Sequence, residues 1–354
     1  MACDSPLKGY RDRDTGGITF RKERSYGEKM EVSCGQCLGC RLDYCRMWAM
    51  RITHESTLHE YNGGNCFITL TYRDMAECNL FELENRLHVP DDWSLYKSHF
   101  QKFMKRLRKW VFDPYGLGRK EEYDDDGALI NGVRYFYAGE YGRKCKHGID
   151  VKRVGCPLCN TGRPHFHACL FNLSFDDLEA YQSDGGVIRY TSPSLEKIWG
   201  YGFVDVGDLT FASASYVAGY VLKKVRGPVS ADHYLTYDMN GEITFISPEF
   251  VGMSRGNAAY KGKKCGIGAG WYEKYKDDIF PSDEVPVPGK GVMKGVPRYY
   301  DEILRDQDPR LFEEIKDTRK AFLREHSGEY TDARRMDKHI CKKARTDLMK
   351  RDLV

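Results

Sequence analysis

Gly162-Arg163-Pro164-His165-Phe166-His167-Ala168-Cys169-Leu170-Phe171 is the stretch on which the reading of this chain turns. Phe166, Cys169, Leu170 and Phe171 mark it as a β-strand, and the two-residue period of a strand sends His165 and His167 to one face and Phe166 into a core behind them. Pro164 suits the first position of such a strand, where its missing N–H costs nothing, and Gly162 with Arg163 supplies the turn into it. A His-x-His of this kind is most often two surface histidines, so the surrounding chain decides its meaning.

Two further strands accompany it. Asn65 to Tyr72 is rich in β-branched and aromatic residues and reads as a central strand with Thr69 and Thr71 on one face. Val133 to Tyr141 reads as another, ending in the carboxylate of Glu140. Between that strand and the histidines lies an insertion with Cys145, His147, Cys156 and Cys159, a complete tetrahedral set for a structural Zn²⁺ with no position left open for substrate. Upstream, Cys34, Cys37, Cys40 and Cys45 run into a helical pattern from Arg41 to about His59 and form a candidate second zinc site. An iron–sulfur cluster suits them less well, because the spacing before Cys45 and the lack of a following proline depart from the ferredoxin pattern.

The segment Thr210 to Val225 is predicted as a helix that places Tyr216 and Tyr220 on one face, with Lys223 and Lys224 a turn further on. Paired tyrosines at this spacing are usually a packed stripe. Gly219, read as mid-helix, costs about 1 kcal/mol relative to Ala and suggests a close approach to the backbone. From Asp92 to Phe112 the apolar positions recur with helical period, while Lys97, Lys102, Lys105, Arg106, Arg108 and Lys109 make the other face basic, either a solvated surface or a phosphate track. Ser174 with Asp177 is expected to open a short helix, and Ser192-Pro193 another that ends at Gly200. Tyr201 to Val206 reads as a strand, and Glu242 to Ile246 as a short one. Charged helices are expected from Tyr299 to about Glu325 and from Asp332 to Lys350. No Walker-type glycine loop, Gly-x-Ser-x-Gly elbow or dinucleotide fingerprint is present.

Composition sets the frame for these motifs. The 354 residues, 41% hydrophobic and 13% aromatic, are enough for a sizeable core. No run approaches a membrane span and Met1 to Lys8 has no signal core, so an intracellular protein without membrane association is expected. The 13 cysteines, clustered as described, point to metal ligation in a reducing compartment. A net charge of +3 says little by itself, whereas the basic 97–109 segment and basic C-terminus favour a nucleic-acid partner.

In order, a threonine-bearing strand (Phe67-Ile-Thr-Leu-Thr-Tyr72), Gly162-Arg-Pro-His-Phe-His167 and Tyr216-Val-Ala-Gly-Tyr220-Val-Leu-Lys223 resemble the motifs of HUH endonucleases, most closely the replication initiation proteins of small single-stranded-DNA bacteriophages of the microvirus group, gokushovirus-like ones especially. Cys34-Gly-Gln-Cys37 and Met253-Ser-Arg-Gly256 are lesser marks of the same likeness. The resemblance covers about residues 30 to 275. It implies an α+β fold with a mostly antiparallel sheet of about five strands, helices on one side and a metal on the open face. The chain would divide into an N-terminal segment (1–33), an endonuclease domain (34–275) and a linker with C-terminal helices (276–354). Glu140, His165 and His167 would bind a catalytic Mg²⁺ or Mn²⁺, and Tyr216, Tyr220 and Lys223 would carry a nicking and joining reaction on a single-stranded DNA origin through a 5′-phosphotyrosine. Host replication helicase and polymerase are the implied partners, and the cytoplasm of the infected bacterium the place. In the family the carboxylate lies much nearer the histidines than Glu140 does here. A relaxase or single-strand transposase would share this chemistry; a non-catalytic zinc protein that binds nucleic acid through the 92–110 helix and basic tail would not.

Overall fold

A computed structural model describes residues 3–348 except 62, 124, 126–128, 183–187, 221–223, 226, 239–240 and 255–265. In chain order the strands and helices are β1 (Leu7–Asp12), β2 (Ile18–Thr19), β3 (Ser25–Val32), α1 (Leu38–Thr57), β4 (Asn65–Thr71), α2 (Leu80–Glu84), α3 (Lys97–Phe112), β5 (Arg134–Tyr141), β6 (Pro164–Phe171), β7 (Glu179–Gln182) and β8 (Ile188–Thr191). They continue with α4 (Pro193–Trp199), β9 (Val204–Asp208), α5 (Phe211–Gly219), α6 (Ser230–His233), β10 (Leu235–Tyr237), β11 (Ile243–Phe245), β12 (Phe250–Met253), α7 (Ala269–Ile279), β13 (Glu284–Val287), β14 (Gly291–Lys294), α8 (Arg298–Gln307), α9 (Pro309–Glu325) and α10 (Asp332–Leu348). Two compact units divide the chain, Trp48–Ile303 and Met1–Met47 with Leu304–Leu353.

In the larger unit the mixed α+β architecture is built on one antiparallel sheet of order β12-β5-β6-β4-β9-β8-β7. It has seven strands, not about five: β12 extends the β5 edge, and the short polar β7 and β8 extend the β9 edge. The helix expected from Ser174 and Asp177 does not form. Asp177 instead accepts hydrogen bonds from the Ser192 hydroxyl (2.6 Å) and the Ser194 N–H (2.8 Å), so its capping chemistry is spent on α4, while the following residues become β7.

The sheet is covered on both faces, a second departure from expectation. On one side Phe166, Leu70, Ile68 and Val204 pack under Phe100, Phe103, Met104 and Leu107 of α3 and Leu195, Ile198 and Trp199 of α4. On the other, Phe136, Ala138, Cys169 and Phe171 meet Ala49 and Ile52 of α1 and Ala214, Val217 and Tyr220 at the α5 end. A salt bridge at 2.7 Å between buried Glu55 of α1 and Arg134 of β5 fastens that second layer. Among the described residues α5 stops at Gly219 with Tyr220 as its C-cap, so Gly219 is the last helical residue and its mid-helix cost does not arise. The basic helix α3 lies on the face away from the histidines. Arg106 is committed to the Ile198 and Trp199 carbonyls at 2.7 Å and Arg108 to that of Val133, so α3 is not a track leading to them.

In the smaller unit the N-terminal residues form the sheet β2-β1-β3, more ordered than the single short strand expected. Asp4 accepts from the Gly39 N–H (2.9 Å), His339 (3.1 Å) and Lys342 (2.5 Å), tying the N-terminus to the start of α1 and to α10. The helix expected from Tyr299 to Glu325 is broken at Asp308-Pro309, where Asp308 caps α9. No helix among the described residues is long and apolar enough to cross a membrane.

Candidate functional site

The β5–β6 ladder places Glu140 directly opposite His165 and Ala138 opposite His167; on the other side of β6, Thr71 faces His165 and Thr69 faces His167. Paired residues of an antiparallel ladder share a face, so Glu140, His165, His167 and both threonines stand together. Glu140 Oε1 lies 2.7 Å from His165 Nε2 and 3.1 Å from His167 Nε2. All three side chains are buried, at 2%, 5% and 1% exposure. Their other ring nitrogens are engaged: His165 Nδ1 donates to the Arg163 carbonyl (3.2 Å), and His167 Nδ1 pairs with Thr69 Oγ1 (3.0 Å). These contacts fix both rings with Nε2 toward the carboxylate, as outer partners of metal-ligating histidines do. Burial alone would raise the Glu140 carboxyl, but the two imidazoles outweigh it and hold the group well below the usual carboxylate range. Two imidazoles and one carboxylate with ligand atoms within 4.8 Å of one another fit a divalent ion with coordination positions left over.

Tyr220 and Tyr216 flank this group. The Tyr220 ring stacks on His167 (centroids 4.7 Å apart, planes at 6°) and is 1% exposed, whereas half-buried Tyr216 meets His167 and Tyr220 edge-on at 5.4 and 4.9 Å. Burial, then Glu140 and Tyr216, push the Tyr220 phenol far above its ordinary value. Lys223 and Gly256 lie outside the described residues.

The insertion between β5 and β6 continues their hairpin. A Cβ on Gly162 would meet the Gly142 carbonyl oxygen at 2.4 Å, so the two backbones can close only over a glycine. Beyond this pinch Cys145, His147, Cys156 and Cys159 converge, with the thiols 3.8, 3.4 and 3.4 Å from His147 Nδ1. Tetrahedral zinc places a thiolate and an imidazole nitrogen about 3.5 Å apart and two thiolates about 3.8 Å apart. The second cysteine group differs from the expected one: Cys34, Cys37 and Cys40 are joined by Cys3, at 3.6 Å from Cys34 and 3.8 Å from Cys37, and Cys45 stands outside. Cys45 follows Cys40 by five residues on α1, which turns it about 140° around the helix from its neighbour. Cys3 could not be found from spacing, because 31 positions separate it from Cys34. N–H groups of Asp4, Cys34, Cys37 and Cys40 point at the sulfurs, a setting that suits thiolates bound to zinc.

An antiparallel sheet that presents a two-histidine, one-carboxylate metal site beside paired tyrosines defines the class of this protein. Residues 65–225 match the sequence profile of the replication-associated protein ORF2 family, and over that stretch the chain belongs to it. It is 28% identical over 337 residues to the replication-associated protein ORF2 of Spiroplasma virus 4, covering 90% of this chain and 86% of that one. It is 29% identical over 318 residues to the replication-associated protein VP4 of Bdellovibrio phage phiMH2K, covering 89% and 80%. A 200-residue match at 29% identity reaches the replication-associated protein ORF4 of Chlamydia phage 1, with 54% and 38% covered. No solved structure matches.

Proposed function

We propose that this protein initiates replication of a small single-stranded-DNA phage genome by cutting one strand at the origin and joining it again as an HUH-type endonuclease in the cytoplasm of the bacterial host. The observation that carries the reading is the convergence of Glu140, His165 and His167 on one point with the Tyr220 and Tyr216 rings packed against His167. Mg²⁺ or Mn²⁺ held by those three side chains would supply Lewis-acid polarisation of a scissile phosphate. The chain's own part is to place a phenol in line with that phosphate. The Tyr216 oxygen attacks phosphorus, the bond from phosphorus to the 3′ oxygen breaks, and the proton lost by the phenol is balanced by the one gained by the 3′-hydroxyl. A 5′-phosphotyrosine results, and the 3′-hydroxyl primes synthesis by host polymerase behind a host helicase. The phosphodiester energy stays in the covalent link, in keeping with a chain that carries no nucleotide-binding loop. Lys223 is assigned to steadying charge during the attack, and Tyr220 to the second cleavage that releases a circle. The two cysteine-bearing groups are assigned structural zinc.

Incubation with single-stranded circular phage DNA, with Mn²⁺ and with chelator, tests the reading. A linear product with protein fixed to its 5′ end, seen only with the metal, is expected; absence of any covalent adduct with Mg²⁺ or Mn²⁺ overturns it.

A further inference from the structure

Resting on the reading above, we propose that Phe203, with Arg73 beside it, is the platform on which a base of the DNA strand next to the cut phosphate stacks. The Thr71 N–H donates to the Phe203 carbonyl (2.9 Å) and the Phe203 N–H to the Thr71 carbonyl (3.0 Å), so the row Glu140, His165, Thr71 continues one strand further to Phe203. Directly paired residues face the same way. Phe203 therefore stands on the metal-ligand face, while its neighbour Val204 is buried in the core behind. Two strand spacings, about 10 Å, separate it from His165, the scale of the step from a phosphate to a neighbouring base.

The ring is 44% exposed, in a sheet whose other phenylalanines are nearly all covered. Gly202 sets it there. At φ 150° its missing Cβ would meet the Arg73 nitrogen at 2.4 Å and the Thr71 carbonyl oxygen at 2.6 Å, so only glycine lets the chain turn this closely into β9. The Arg73 guanidinium sits 5.5 Å from the Phe203 ring centroid and is steadied by an ion pair with Glu82. Along the same face Asp205, opposite Thr69, accepts from the Tyr181 hydroxyl and pairs with Arg189 at 3.6 Å. Its negative charge is thus answered within the sheet, and Tyr181, 40% exposed, adds a second ring. Rings alternating with guanidinium groups beside a phosphate site are the chemistry that single-stranded DNA uses: bases stack on the rings, and the backbone follows the cations.

The test is the affinity of the full chain for a fluorescein-labelled oligothymidylate in chelator, read by anisotropy, for wild type and Phe203→Ala, Phe203→Leu and Phe203→Tyr, with thermal melting as the check on folding. Loss of a stacked base weakens binding about 5- to 150-fold, so the Ala and Leu chains should lose this much while the Tyr chain stays near wild type. Leu keeps apolar bulk and discards the π-face. Ala and Leu chains that bind like wild type, a Leu chain that equals Tyr, or a wild type that does not bind the oligonucleotide would each overturn the platform. Cleavage by wild type with Mn²⁺ is run beside it. A ring requirement without cleavage leaves the platform and removes the nicking reading, and cleavage indifferent to Phe203 does the reverse.

Discussion

Glu140 and His165, 25 positions apart in the chain, are register partners in the β5–β6 ladder, with Oε1 2.7 Å from Nε2. The long insertion does not part them because it leaves and re-enters the sheet as one hairpin, pinched where Gly162 meets Gly142 and closed beyond by the Cys145, His147, Cys156 and Cys159 group. Sequence distance between carboxylate and histidines is therefore no measure of their separation, and a glutamate far from the histidine pair can complete the site.

Replacing His167 by Ala removes one ligand from the centre of the group and the ring that Tyr220 stacks on. Metal-dependent cleavage should fall by at least ~10³-fold, while affinity for single-stranded DNA changes little because backbone contacts elsewhere supply most of it. Gel assays of cleavage and anisotropy on the same preparation check this. Parallel loss of both would make His167 structural.

Thr69 touches no substrate in this scheme and acts through His167 Nδ1 at 3.0 Å. Thr69→Val keeps the shape and removes the hydrogen bond, so the Mn²⁺ concentration for half-maximal cleavage should rise about 10- to 100-fold with the maximal rate recoverable at high metal. A lowered rate that metal does not restore would assign Thr69 another role.

Zinc content distinguishes the two cysteine readings at the N-terminus. Purified protein should carry two equivalents by elemental analysis, from the groups Cys3, Cys34, Cys37, Cys40 and Cys145, His147, Cys156, Cys159. Cys3→Ser and Cys156→Ser should each lose one and lower the melting temperature by about 5 °C or more. Cys45→Ser should keep both; loss of zinc there would restore Cys45 as a ligand.

His54 gives a pH dependence independent of the metal groups. Its ring is fully buried, stacked 3.5 Å from Trp271, with Nε2 donating to the Pro286 carbonyl (3.0 Å) and Nδ1 accepting from the Tyr300 hydroxyl (2.8 Å). Burial pushes its pKa down to about 3, against which the Pro286 contact is minor. A depressed histidine stabilises the fold fully above its unfolded value near 6.5 and loses that contribution as pH falls, at about 1.4 kcal/mol per unit down to the folded value. Urea midpoints between pH 7.5 and 4.5 should therefore fall more steeply for wild type than for His54→Gln, and equal slopes would refute the assignment.

Much of this was legible because local chemistry and final structure agree. The alternation around His165, Phe166 and His167 and the β-rich Asn65 to Tyr72 segment set the central strands, and Ser192-Pro193 with Gly200 bounded α4. What sequence could not show was fixed at long range. Cys3 joins its group through the packing of the N-terminal segment, and α1 covers the metal face with only a weakly patterned apolar stripe. Asp177 carries a real capping signal, but the helix it caps begins 16 residues later, at Pro193. Phe203 was hidden by its own ordinariness: an aromatic at a strand start reads as core until register and exposure are known.

The two tyrosines differ in a way their spacing does not reveal. Tyr220 is sealed against His167 and its phenol is held protonated by burial, with Glu140 and Tyr216 adding to the effect; Tyr216 is half-buried and is the one an incoming strand meets first. Only one phenol at a time can lie in line with a phosphate fixed at Glu140, His165 and His167. Tyr216→Phe should therefore block the first cleavage, or slow it severely with Tyr220 substituting. Tyr220→Phe should nick once and accumulate a covalent adduct that is released poorly, because the second transfer lacks its nucleophile. The double Phe variant must give no covalent product. Mass mapping of the DNA-linked peptide decides the order: linkage to Tyr220 alone in wild type would reverse the assignment, and a linked residue outside the pair would refute the mechanism.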